Sequence, residues 1–280
     1  MEENRELSDS ASLLIELDSG NGSGFFVKKN LIATNIHVIA QTTSVSAKLV
    51  ETQTEFVVEG IAAFDTKNDL VILKITGEGA SVFLGDSDLL QSGDIVQAVG
   101  YPSEGYKVTE GPIHSIRDSD KWIRMGFKTL VGNSGGPVLN RNGQIIGVVV
   151  ADHDWCSFAI PINTVKKLLV QTSRVEPLAQ WQEREKIRAY VYLVQGQTKH
   201  CAAQRKRSTT LYEEAIVNFD KAIQLNPDYA LCYYNRGTVK SQLGRLNADE
   251  SDLTEVQQYY RDAIDDYTEA IKLCPDYASA

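Results

Sequence analysis

The run Gly132-Asn133-Ser134-Gly135-Gly136-Pro137 is the segment best suited to covalent chemistry. A serine hydroxyl becomes a useful nucleophile only beside a base, and the charge it creates on a substrate oxygen must meet donors fixed in advance. Glycines around Ser134 permit a tight turn in which successive backbone N–H groups converge on one point. The base and its orienting acid must come from elsewhere in the chain. His37 lies in Leu31-Ile32-Ala33-Thr34-Asn35-Ile36-His37-Val38-Ile39, at the end of an apolar run where a loop can present an imidazole. His114, His153 and His200 lack such flanks. For the acid, Asp69 directly precedes Leu70-Val71-Ile72-Leu73, and a carboxylate at the mouth of a buried strand is desolvated against the ring. Asp65, the rival, suits a turn cap better.

The elements that must position these groups read as strands. Short β-branched runs at 13–17, 25–27, 31–34, 56–61, 70–75, 95–99 and 145–150 are separated by Gly, Asn, Asp and Ser. No helical stretch of about 10–15 residues intervenes, which disfavours a parallel α/β sheet against an antiparallel barrel or sandwich. A helix over 163–171, capped by Asn163 with Val165, Leu168 and Leu169 on one face, closes this half. After the break at 173–177 the composition turns to Ala, Gln, Glu, Lys and Leu, the composition of helices.

With Gly22-Ser23-Gly24-Phe25-Phe26-Val27 before the histidine and Phe158-Ala159-Ile160-Pro161 after the serine, the ordered His, Asp and Ser segments resemble the HtrA/Deg branch of trypsin-like serine proteases over roughly residues 11–170. The resemblance implies an all-β pair of six-stranded barrels, residues 1–172, with the active site in the cleft between them. It implies peptide-bond hydrolysis without metal or cofactor: Ser134 attacks the scissile carbonyl, His37 carries its proton and Asp69 holds the ring. The backbone N–H groups of Gly132 and Ser134 would form the oxyanion hole, with Asn133 shaping the turn. An amide at Asn133 cannot pair with a new N-terminal ammonium, so activation by propeptide removal is not expected, and ordering of loops by substrate or partner is. By the same resemblance Lys128 lies near the floor of the primary specificity pocket, with Val150 and Ala151 on its wall. A lysine there either favours acidic side chains or snorkels outward and leaves room for small aliphatic ones.

The C-terminal part repeats itself. The segment from Glu214-Ala215-Ile216 to Pro227-Asp228-Tyr229-Ala230 recurs as Asp262-Ala263-Ile264 to Pro275-Asp276-Tyr277-Ala278, a period of 48 residues. It resembles the tetratricopeptide repeat, a unit of about 34 residues, with extra polar and acidic residues around 247–256. Ala215, Phe219, Ala222 and Pro227 match a second helix and its terminator; Tyr233, Gly237, Leu243 and Gly244 match the next first helix, and Gly196 marks one upstream. About two all-α units are expected over 185–280, after a linker at 173–184. HtrA-like proteases usually carry PDZ domains at this place. Tetratricopeptide stacks bind peptides or proteins, so a protein partner that is substrate or regulator is implied. The other function class is a catalytically silent scaffold.

Composition narrows the classes further. Of 280 residues 42% are hydrophobic, enough to bury two cores, and the net charge of −9 opposes binding driven by phosphate neutralisation. The longest apolar runs fall far short of the ~18 residues of a membrane span. Four scattered cysteines show neither disulfide nor zinc spacing. The polar N-terminus has no signal-peptide pattern, so a cytoplasmic setting is expected unless a leader has been removed.

Overall fold

Both faces of several strands are apolar, which is how a strand reads when it is buried on both sides. Phe25 and Phe26 are consecutive, point to opposite faces and are both 0% exposed. The structure is a computed structural model, described for residues 12–18, 20–80, 82–117, 121–151, 157–172, 174–248 and 253–275. β1 (Ser12–Leu17), β2 (Gly20–Lys28), β3 (Leu31–Asn35), β4 (Val45–Leu49), β5 (Thr54–Asp65) and β6 (Leu70–Ile75) close an antiparallel barrel in the order β1-β2-β3-β6-β5-β4. β7 (Ile95–Gly100), β8 (Lys107–Ile116), β9 (Ile123–Met125), β10 (Pro137–Asn140), β11 (Ile145–Ala151) and β12 (Ser157–Pro161) close a second in the corresponding order β7-β8-β9-β12-β11-β10. The pair of six-stranded barrels implied by the sequence is present.

One core cluster is shared between the barrels. It joins Phe25, Leu70 and Ile72 of the first to Val99, Val148 and Ile160 of the second. α2 (Ile162–Val170) adds Val165, Leu168 and Leu169, while α1 (Ile36–Ile39) follows β3 directly. Each such side chain contributes about 1.5–3 kcal/mol on full burial, so the shared cluster holds the two barrels together. Asn163 does not cap α2 as expected. The helix starts at Ile162 after Pro161, with no side-chain cap, and Asn163 Nδ2 donates to Asp86 Oδ1 at 2.7 Å instead.

Beyond α2 the chain returns to the first barrel. Ile61 N donates to Glu176 O (2.7 Å) and Glu176 N to Ile61 O (2.9 Å), extending the edge of β5. α3 (Leu178–Gln182) buries Trp181 completely, edge-on to Phe64 at 5.9 Å. The first compact unit ends at Gln182 and the second begins at Glu183.

The second unit is α4 (Glu185–Lys206), α5 (Thr209–Leu225), α6 (Ala230–Asn247) and α7 (Leu253–Leu273), each packed on the next. Ser208 Oγ accepts from Leu211 N (3.4 Å) and caps α5. A Cβ at Gly196 would come 2.5 Å from the Phe219 ring, which is why the α4–α5 crossing takes a glycine there. Leu253 to Val256 of the expected insert form the first turn of α7, and 249–252 and 276–280 lie outside the described residues. Between α6 and α7 the buried Asp266 carboxylate pairs with Arg236 Nη2 (2.5 Å) and Lys240 Nζ (2.9 Å). Removing one member of a buried ionic set strands the others, at a cost of about 3–5 kcal/mol. Asp266→Ala is expected near the lower end, because Arg236 keeps Asp220 at 2.5 Å. Loss of helical circular dichroism on heating or in denaturant measures it.

Candidate active site

α1 presents the histidine. The ring sits on a four-residue helix rather than on the expected loop, and Asn35, at the N-cap position, makes no side-chain cap. Asn35 is 0% exposed and directs its Nδ2 to Asp69 O at 2.9 Å, and Ile36 N donates to the same carbonyl at 3.2 Å. Asp69 adopts a left-handed backbone with φ of 53°, a conformation Asp and Asn tolerate better than most residues. Held this way, its carboxylate meets the helix twice. Oδ1 accepts from His37 N (3.0 Å), and Oδ2 lies 2.5 Å from His37 Nδ1.

A neutral ring donating from Nδ1 keeps Nε2 as an acceptor, the state a general base requires. The His37 side chain is 26% exposed and that of Asp69 10%. Burial pushes the imidazole pKa down, but the Asp69 charge and hydrogen bond together outweigh it and hold the pKa above the ordinary 6.5. The paired imidazolium therefore stabilises the fold fully below pH 6.5, and that contribution fades as pH rises through the folded-state pKa. Asp65 is occupied elsewhere: its carboxylate accepts from Lys67 N (2.9 Å) and from Asn68 Nδ2 (2.7 Å), closing the turn before Asp69.

Ser134 stands on a turn clamped by the other barrel. Asn133 N donates to Leu130 O (3.0 Å), Gly136 N to Asn133 O (2.9 Å) and Gly135 N to Val149 O (2.9 Å). From β2, Ser23 N donates to Ser134 O (2.9 Å) while Ser23 Oγ donates to Gly132 O (2.7 Å) and accepts from Tyr101 N (2.8 Å). A Cβ on Gly135, whose φ is +85°, would meet Ser23 O at 2.2 Å and Asn35 N at 3.2 Å. The serine turn thus abuts the strand end two residues before His37. Gly132 has φ of +100°, and its N–H finds no acceptor among the described residues. Asn133 is 0% exposed, and both its side-chain polar atoms lack partners among the described residues. Each such group costs about 1–3 kcal/mol, so the turn is locally unfavourable and is held by its clamps.

The remaining expected residues are placed as follows. Lys128 is exposed, and Val150 is half-buried against the shared core. The Ala151 side chain, His153 and Cys156 lie outside what is described. His114 is exposed on β8, and His200 belongs to α4, where Nε2 contacts Gln242 Oε1 at 3.0 Å. Ser23 had no role in the sequence reading; its position between two glycines ahead of Phe25 was the available signal. Among the described residues no group of three or more His, Cys, Asp or Glu could hold a metal ion, and no helix is long and apolar enough to cross a membrane. Cys201, Cys232 and Cys274 are thiols outside any disulfide, and burial pushes the Cys232 thiol up to about 12.

Residues 22–148 match the family described as trypsin-like peptidase domain, and residues 211–244 match the TPR repeat family. The chain is 39% identical over 168 residues to a probable periplasmic serine endoprotease, DegP-like, of Rickettsia prowazekii (strain Madrid E), covering 53% of this chain and 32% of that protein. It is 36% identical over 173 residues to the mitochondrial serine protease HTRA2 of Drosophila virilis (55% and 40% covered) and 30% identical over 208 residues to the serine protease HTRA1 of Xenopus tropicalis (68% and 45%). The chain spans less than half the length of these curated relatives. A crystal structure of Rv3671c from M. tuberculosis H37Rv, an inactive mutant form, superposes with a TM-score of 0.51 at 22% identity, covering 60% of this chain and 89% of that one. That likeness is one of fold.

Proposed function

We propose that this chain, which joins a trypsin-like serine protease domain of the HtrA/DegP type to a TPR repeat, hydrolyses peptide bonds in protein substrates through Ser134, His37 and Asp69. The observation that carries the reading is the 2.5 Å contact of His37 Nδ1 with Asp69 Oδ2 beside a serine turn seated on the same strand end. His37 Nε2 takes the Ser134 proton as Oγ attacks the carbonyl carbon, then delivers it to the leaving amine; water repeats the sequence to release the acyl group. Gly132 and Ser134 N–H meet the oxyanion, each donor contributing about 2.7–4 kcal/mol in the transition state. The exposure of Lys128 supports an outward side chain and a pocket for small aliphatic residues over one for acidic residues. The peptidase is assigned to residues 1–172 and the repeats to 185–280, where the helices recruit substrate or regulator.

Incubating the full chain with an unfolded protein, with and without a fluorophosphonate, tests the assignment. Cleavage blocked by the reagent supports it. No cleavage and no adduct under any condition, including added protein partners, points to a silent scaffold. A second expectation follows from the raised His37 pKa: kcat/KM should fall on acidification with an inflection above 6.5, because only the neutral ring is a base. An inflection below 6.5 would contradict the pairing with Asp69.

A further inference from the structure

We propose that residues 174–182 form a strap that positions the catalytic histidine, with Gln182 as its positioning residue; this rests on the proteolytic reading above. α1 is a single turn, and a helix end leaves carbonyls that need donors from outside. Gln182 Nε2 supplies one to both Ile39 O (3.3 Å) and Thr42 O (2.7 Å), bracketing the chain as it leaves His37. Two carbonyl acceptors require the amide nitrogen at that place, so a carboxylate cannot substitute for it.

Asp18 holds the same stretch separately. Its Oδ1 accepts from Thr42 Oγ1 (2.5 Å), and its Oδ2 from Thr43 N (2.9 Å) and Thr43 Oγ1 (2.7 Å). Those hydrogen bonds hold the Asp18 carboxyl down at about 2. With Asp18 charged at any working pH, Gln182 is the clamp contributed by the chain that leads to the repeats.

The strap can bear that role because it is itself fixed. Trp181 is 0% exposed against Phe64, and Glu176 pairs with Ile61 through two backbone hydrogen bonds. A Cβ at Gly60 would lie 2.2 Å from Glu176 O, so that glycine admits the strap to the barrel. α4 then begins at Glu185, so the strap is the last segment of the first unit before the helical one.

The test compares full-length wild type, Gln182→Leu and Gln182→Lys, the last restoring donors of similar reach. The primary readout is the His37 pKa by NMR titration with the Nδ1 proton resonance, which needs no proteolysis; the second is kcat and KM. In Gln182→Leu the pKa is expected to move down toward 6.5 and the Nδ1 resonance to broaden, as the ring loosens from Asp69. The kcat should fall about tenfold with KM nearly unchanged, an orientation effect, and Gln182→Lys should recover most of both. An unchanged His37 titration in Gln182→Leu, or identical behaviour of the Leu and Lys variants, overturns the strap. A shifted titration in a chain that never cleaves substrate upholds the strap and overturns the proteolytic reading instead.

Discussion

Replacing Ser134 by alanine is expected to lower kcat on an unfolded protein substrate by a factor on the order of 10⁶, with the melting temperature unchanged within a degree or so. The residue is 6% exposed, and backbone hydrogen bonds and Ser23 hold the turn that carries it. The variant should therefore keep its fold and its substrate affinity while losing the bond-forming atom. Water attacking within the intact oxyanion hole sets the residual rate, roughly 10³–10⁴ over the uncatalysed reaction. More than about 1% of wild-type kcat would mean that another group is the nucleophile.

Asp69→Asn should cost about 10⁴ in kcat without unfolding the chain. The position has φ of 53°, which asparagine adopts as readily as aspartate, so backbone strain does not confound the result. An amide facing Nδ1 through its nitrogen drives the ring to the wrong tautomer, and through its oxygen supplies no charge to the imidazolium. The pH profile separates this from simple damage. Both influences that raise the His37 pKa come from Asp69, so in the variant burial alone remains and the acid inflection should drop below 6.5. An inflection still above 6.5 would assign the raised pKa to some other charge.

The short apolar runs made an antiparallel barrel or sandwich legible, the double barrel came from the resemblance of the ordered motifs, and the shared cluster accounts for the apolar runs in β3 and β6. β4, β8, β9, β10 and β12 were not among the expected runs. β8 is largely exposed and carries Gly111 and Pro112, β9 has three residues, and β10 and β12 are completed by pairing partners distant in sequence. Propensity sees local pattern and misses such partners. Asn163 was read as a cap for the same reason: Asp86, its actual partner, lies 77 positions earlier. The residues of the site were visible as types in motifs, yet their supports were not. Ser23 reaches Gly132 across 109 positions and Gln182 reaches Thr42 across 140, distances no periodicity reports. The repeat was visible because it is duplicated, and Gly196 through its place in the repeat resemblance; that the facing ring is Phe219 is visible only in the fold.

Peptide mapping of the full chain after reaction with a fluorophosphonate addresses the central claim directly, since the reagent bonds fastest to a hydroxyl whose base and oxyanion donors are assembled around it. The account predicts one adduct, on Ser134, forming faster as pH rises through the His37 pKa and nearly abolished in Asp69→Asn. An adduct on a different serine, or an adduct on Ser134 whose rate is indifferent to both pH and Asp69, would contradict it.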